Sequence, residues 1–428
     1  VTAAAAVAID AGALPLGGGL LALLRPALEL VEPGGVVALR SSAPGVRQDL
    51  PSWCRLERHG YLGCTREPDG TELHLVERGR FGVAPVVGVR RGDGDGAAGA
   101  DADADADAAA GADADADAAA GADADADADP HSGFAPAGAR VEPGGPRYPY
   151  TITRRDAAPP AAETRKLYEQ AVAAQWDAAR DIPWHLVRPL SPPLERAVGQ
   201  VMTFLAENEL SALYVPSKFV ARLHPAYAET AMFLATQLMD ESRHIDVFLR
   251  RARAGGGQLG ISSVTTSRSL LSLLALEEFT EAAFLLSLLG EGTFLDLLRF
   301  VERHAPDEAT AELARRTRAD ESRHVHFGVL HVRHALAADP ALAGRLEAAV
   351  RRRAATLHGV GGVPAPIQDA LTLLAAGSDA PAAVARGHEA FRALLVEMDD
   401  GRTKRLVHAG FTPDEAARLS ALHTPNFM

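Results

Sequence analysis

From about Glu163 onward, apolar residues recur at three- and four-residue steps, the period of an amphipathic helix, with little clustering of β-branched residues. The pattern predicts helices over 163–180, 192–222, 225–254, 267–289, 292–304, 307–337 and 340–357, with shorter ones to the end. Segments of this length joined by short loops such as Arg253–Gly260 suit an up-and-down bundle better than a compact globin-like packing. The first 90 residues follow another rhythm. Val36–Leu39 and Leu73–Val76 are strand-like runs bounded by Pro-Gly, Asp-Gly and Arg-Gly pairs, while Leu20–Val31 has helical spacing and stops at Pro33-Gly34. This is a small α+β pattern.

Between the two, periodicity disappears. Asp101 to Pro130 is a three-fold ten-residue repeat of Asp-Ala and Gly-Ala units, with little to bury and like charges that repel, so residues 91–149 are expected to form a disordered, extended linker. The expected layout is therefore an α+β domain over 1–90, the linker over 91–149 and an all-α bundle over 150–428. The linker also explains the charge. The formal charge is −13, but residues 93–129 hold 13 of the 56 acids and no Lys or Arg, leaving 43 acids against 43 bases elsewhere. Such a balance gives no electrostatic case for nucleic acid, an anionic membrane or a charged protein partner. Two cysteines, Cys54 and Cys64, are too few for a disulfide scaffold and fit a reducing compartment. The apolar N-terminus lacks a basic region, and no stretch approaches the ~20 consecutive apolar residues of a membrane span. A soluble, cytoplasmic protein is expected.

Two segments repeat one theme 80 residues apart: Asp240-Glu241-Ser242-Arg243-His244 and Asp320-Glu321-Ser322-Arg323-His324. Positions i and i+3 share a helix face, so each Glu and its His can reach the same interior point. A buried carboxylate without a partner costs several kcal/mol, and a metal ion supplies the partner. One Glu-x-x-His is weak, but two copies on long helices, each preceded by a helix with an acid on its apolar stripe, are far more specific.

A bundle site of this kind calls for one further Glu from each partner helix. For the first, Glu209 continues the stripe Leu194, Val198, Val201 and Leu205, whereas Glu207 follows Gln200 and Thr203; Glu209 is the inward choice. For the second, Glu278 is in phase with Leu271, Leu274 and Leu285, and Glu277 fits Leu270, Leu273 and Phe284 nearly as well. Glu278 is preferred, with Glu281, one turn on, as an extra ligand or an outer acid. The expected ligand set is Glu209, Glu241, His244, Glu278, Glu321 and His324.

On these residues, 160–428 resembles the ferritin-like superfamily of di-metal carboxylate proteins, in the branch with ribonucleotide reductase small subunits and bacterial di-iron oxygenases. The stretches Gln175-Trp176-Asp177 and Ile182-Pro183-Trp184, and the ending Ser420–Met428, are similar to a set of bacterial ferritin-like proteins. The resemblance implies two iron ions or a Mn/Fe pair, with Asp240 and Asp320 as outer acceptors that orient the ligand imidazoles. The spacing from Glu278 to Glu321 exceeds the family's usual one, so a short helix near 292–304 must be accommodated. In reductase small subunits a radical tyrosine follows the first ligand His by one turn; here that position is Phe248, and its counterpart after His324 is Gly328. The resemblance thus implies an oxidase or oxygenase acting with O₂ on a small molecule, compatible with a homodimer, with a ferroxidase-like or non-catalytic metal protein as the alternative. A pocket lined by Leu, Phe and Ala beside the metals is expected. His326, His331 and His334 share the helix of His324; His331, two turns along the ligand face, is the one that could support the site.

Residues 7–85 resemble the TusA/SirA type of small sulfur-carrier domain, with Pro33-Gly34 and Asp49–Cys54 as anchors. That family carries its sulfur on a Cys-Pro motif, where this chain has Ala13-Leu14-Pro15-Leu16-Gly17. A persulfide needs an accessible thiolate of lowered pKa. Cys54 is either that or a buried structural residue, and the domain is expected to be a degenerate carrier or docking module, with sulfur trafficking as a third functional reading.

Overall fold

The computed structural model describes residues 5–79, 133–136, 139, 150–152, 159–357 and 363–423. The Asp-Ala repeat expected to be a linker lies outside them. Near the N-terminus, the strands β1 (Val7–Asp10), β2 (Val36–Ser41), β3 (Gly60–Arg66) and β4 (Glu72–Glu77) form one sheet in the order β1-β2-β4-β3, parallel between β1 and β2 and antiparallel elsewhere. Val37 and Leu39 have no exposed surface, as a central strand requires. Helix α1 (Leu20–Glu29) lies in the crossover between the parallel strands β1 and β2, and buries Leu20, Leu24 and Leu28 on one stripe. With α2 (Val46–Leu56) this is the α+β domain the pattern suggested; β1, β3 and α2 were not foreseen.

This domain is docked on the helices. Arg25 of α1 makes a two-pronged bond to Asp369 at 3.0 and 3.1 Å. At Gly19, φ is +106° and an added Cβ would stand 3.2 Å from Val384, so glycine suits both the backbone and the close approach.

The helical region runs α3 (Ala161–Ala173), α4 (Pro192–Val220), α5 (Ala228–Arg253), α6 (Val264–Leu274), α7 (Phe279–Ala283), a π-helix (Phe284–Glu291), α8 (Gly292–Arg303), α9 (Glu308–Ala338), α10 (Leu342–Thr356), α11 (Ala365–Ala376), α12 (Pro381–His408) and α13 (Pro413–Leu422). Its ends carry the expected caps. Asp307 Oδ1 accepts the Thr310 N–H at 2.8 Å, and Thr412 and Glu415 form a capping box. Arg251, with no exposed surface, pairs with Glu195 (3.0 Å) and Asp307 (3.2 Å), joining the end of α5 to the starts of α4 and α9. No described helix is long and apolar enough to cross a membrane.

The helix expected over 267–289 is the main departure. It breaks after α6; a new helix starts at Phe279 and passes through the π-helix into α8 without interruption. The short helix anticipated near 292–304 is thus the second half of a longer one. The π-helix faces α9 at Gly328, where an added Cβ would meet Ser287 Cβ at 2.7 Å and Leu288 N at 3.2 Å. Gly328→Ala should therefore cost about 1–3 kcal/mol, read as a lowered urea midpoint, because backbone blocks the methyl group.

Candidate metal centre

Four helical segments each send acids to one buried place: Glu209 from α4, Glu241 and His244 from α5, Glu291 from the end of the π-helix, and Glu321 and His324 from α9. All six are at most 2% exposed. They form two overlapping groups, Glu209–Glu241–His244–Glu321 and Glu241–Glu291–Glu321–His324, within each of which the ligand atoms lie within 4.8 Å of one another. Glu241 and Glu321 belong to both. A pair of Glu and a pair of Glu-x-x-His around a bundle core fits a ferritin-like helical fold, and the cluster could hold two metal ions.

The imidazoles face inward through Nδ1. His244 Nδ1 lies 3.0 Å from Glu241 and 3.2 Å from Glu321; His324 Nδ1 lies 3.1 Å from Glu241 and 3.4 Å from Glu321. Their outer nitrogens cross over: His244 Nε2 is 3.2 Å from Asp320 Oδ2, and His324 Nε2 is 3.2 Å from Asp240 Oδ2. A carboxylate can only accept, so each Nε2 carries the proton and each Nδ1 is left to a cation.

The electrostatics describe a place short of positive charge. Burial, reinforced by Glu321 and Glu241, raises the Glu209 carboxyl well above its usual range, and Glu291 is raised by the same causes. Burial alone would raise Glu241 as well, but the His324 and His244 imidazoles outweigh it and hold that carboxyl low. Burial would lower both imidazoles, yet the facing carboxylates raise them well above their ordinary values. Several inward atoms close no hydrogen bond among the described residues: Glu209 Oε1, Glu241 Oε1, both oxygens of Glu321, Glu291 Oε2 and His324 Nδ1. Buried polar atoms are rarely left this way, and the donor set suits two hard or borderline cations.

Around the inner six lies a second ring. Arg243 and Arg323 each bridge Asp240 and Asp320, with Arg243–Asp320 at 3.3 Å and Arg323–Asp240 at 3.1 Å. Trp176 Nε1 donates to Asp320 at 2.7 Å, its ring stacked 6.5 Å from His244, and Gln175 accepts from Arg243. The repeated motif is thus a crossed brace in which each Asp serves the other segment's His.

Not every expected residue arrives. Glu278 is exposed and caps α7, accepting the Glu281 N–H at 2.7 Å, so it stands outside the cluster. Glu281 pairs with Arg352 at 2.9 Å, and Glu277 with Lys218 and Arg222 at 3.3 Å. All three acids serve the chain at the start of the new helix. The position assigned to Glu278 is filled by Glu291, whose Oε1 accepts from Gln237 at 3.1 Å. Thirty residues separate Glu291 from Glu321, close to the 32 from Glu209 to Glu241, whereas Glu278 to Glu321 spans 43; that repeat of spacing was the available signal. His326 is exposed, His334 half-buried, and His331 is buried at 3.0 Å from Thr280 Oγ1, in contact with Phe279 and Phe327.

Beside the cluster a narrow apolar crevice runs between α4, α5, α7, the π-helix and α9. Phe219, Leu234, Phe279, Ala283, Leu286 and Phe327 line its volume of about 10 Å³, together with polar Ser287 and with Gln237, the partner of Glu291.

Cys54 lies in the last turn of α2 with no exposed surface, and burial pushes its thiol up to about 11. The reading of Cys54 as an accessible, activated thiol fails on both counts. At pH 8 about one molecule in a thousand would carry the thiolate, so iodoacetamide should label half-exposed Cys64 and spare Cys54 until the chain is denatured; peptide mass spectrometry reads the difference.

No family model and no curated relative matches the chain. Solved structures that resemble it include an R2-like ligand-binding oxidase with aerobically reconstituted metal cofactor after photoconversion, at 18% identity over 61% of this chain and 94% of that one, with a TM-score of 0.43. A variant of R2-like ligand-binding oxidase with aerobically reconstituted Mn/Fe cofactor matches at 18% identity, 57% and 93% coverage and a TM-score of 0.45. Another variant, with anaerobically reconstituted Mn/Fe cofactor, matches at 18%, 57% and 92%, with 0.44. Likeness of this size leaves the functional reading to the chain's own residues.

Proposed function

We propose that this protein is a di-metal carboxylate oxidase or oxygenase, holding two iron ions or a manganese–iron pair and acting with O₂ on an apolar small molecule. The observation that carries the reading is the set of buried oxygens and nitrogen, without hydrogen bonds among the described residues, that converge from four helical segments. Glu209, Glu241, His244, Glu291, Glu321 and His324 would hold the two metals, Glu241 and Glu321 being common to both groups of converging ligand atoms. When bound, the metals would supply the electrons that reduce dioxygen. The protein's own part is to hold geometry and dryness. Asp240 and Asp320 accept the imidazole Nε2 protons and so hold the rings with Nδ1 turned inward, Arg243 and Arg323 neutralise those aspartates, and Phe233 and Trp176 pack against the imidazoles to exclude water.

Anaerobic loading with Fe²⁺, or Mn²⁺ followed by Fe²⁺, tests this. Exposure to air should give one optical change per loaded centre and then stop. Sustained turnover of excess Fe²⁺ would instead make the protein a ferroxidase. For the N-terminal domain, kinship with sulfur carriers rests on the sequence resemblance, and the burial of Cys54 removes its best candidate for persulfide chemistry.

A further inference from the structure

A second pocket lies far from the metal residues in function and chemistry, at the junction where α1 of the sheet domain meets α4 and α11. It is half-open, with a volume of about 70 Å³. Its frame is stiff: Pro26 of α1, Pro193 in the first turn of α4 and Pro366 in the first turn of α11, over a floor that includes Ala197 and Leu373. Four charged residues line it. Arg25 and Asp369 are committed to each other, at 3.0 Å. Arg196, on the bundle wall, and Glu29, on the sheet-domain wall, close no side-chain hydrogen bond or ion pair with another described residue, and Arg196 Nε is shut off from solvent without an acceptor.

We propose that this pocket binds a small zwitterion, one carboxylate and one ammonium group on a body the size of a free amino acid, across the domain junction. The polarity follows from the walls. α4 and α11 both begin here, so the positive ends of their dipoles add to the Arg196 guanidinium and place the carboxylate on the bundle side. Glu29 offers the ammonium a carboxylate on the other side. The summed charge of the four residues is zero, which disfavours a ligand of one sign and suits one carrying both. A ligand so held would tie the sheet domain to α4, the helix that also bears Glu209, and would give that domain a role as one wall of a binding site.

Calorimetry and thermal-shift measurements on the full chain, with each of the standard amino acids as probes and with propionate and propylamine as single-charge controls, test the proposal whether or not metal is present. At least one amino acid should bind, more tightly than either control. Arg196→Gln and Glu29→Gln should each weaken that binding ~10–100-fold, the worth of one charge-assisted bond, while leaving the ligand-free melting temperature nearly unchanged because neither side chain closes a hydrogen bond or ion pair with another described residue. Absence of binding by every amino acid, equal binding of propionate, or unchanged affinity in both variants would overturn it.

Discussion

Glu241→Ala and Glu321→Ala will each abolish binding of both metals, whereas Glu291→Ala will leave about one metal per chain and Glu278→Ala about two, as the wild type holds. The ranking follows from which groups each carboxylate serves. Glu241 and Glu321 belong to both sets of converging ligand atoms, Glu291 to one, and Glu278 to neither, since it caps α7 in contact with water. Elemental analysis of the four variants, purified after identical loading, reads the result. Glu278→Ala serves as an internal control, because it should cost only the ~1 kcal/mol of a lost helix cap and no metal.

The second large effect lies one ring out. Asp320→Ala should destabilise the chain by about 3–5 kcal/mol, because it strips a buried counter-charge from Arg243 and Arg323 at once. It also takes the acceptor from Trp176 and from His244 Nε2, freeing the imidazole to turn or to place its proton on Nδ1. Metal affinity should fall about 10–100-fold in consequence. Asp320→Asn keeps the shape and one oxygen, so it should recover part of the stability while leaving the affinity loss; a role in folding alone would restore both together. Urea denaturation of the metal-free chain and competition with a chelator separate the two quantities.

How far the sequence reveals this centre depends on helical regularity. In α4, α5 and α9 the chain keeps its ordinary turn over 26 to 31 residues, and there the three-residue spacing of Glu and His and the apolar stripe around Glu209 point to five of the six side chains that converge. The sixth lies where regularity fails. Counting forward from Leu270 or Leu271 points at Glu277 or Glu278 within the first turns, while the break before Phe279 resets the phase and the looser π-helix shifts it again before Glu291. Spacing to the partner motif survives such irregularity better than phase does, which is why the repeat of about thirty residues was the better guide. Asp240 and Asp320 were legible as neighbours of ligands. Their exchange of partners was not, since it depends on how α5 and α9 face each other. The α+β pattern was visible from Val36–Leu39, but the seat of that domain on α11 and α12 rests on close contacts such as Gly19 with Val384 that no periodicity encodes.

The measurement that bears most directly on the account is Mössbauer spectroscopy of the chain loaded with ⁵⁷Fe, together with its metal content, before and after exposure to air. The account predicts about two irons per chain that become a magnetically coupled pair after oxidation, since the two groups of converging ligand atoms share Glu241 and Glu321 and so would hold the ions close together. Isolated, uncoupled iron, or less than one tightly held ion per chain, would contradict it.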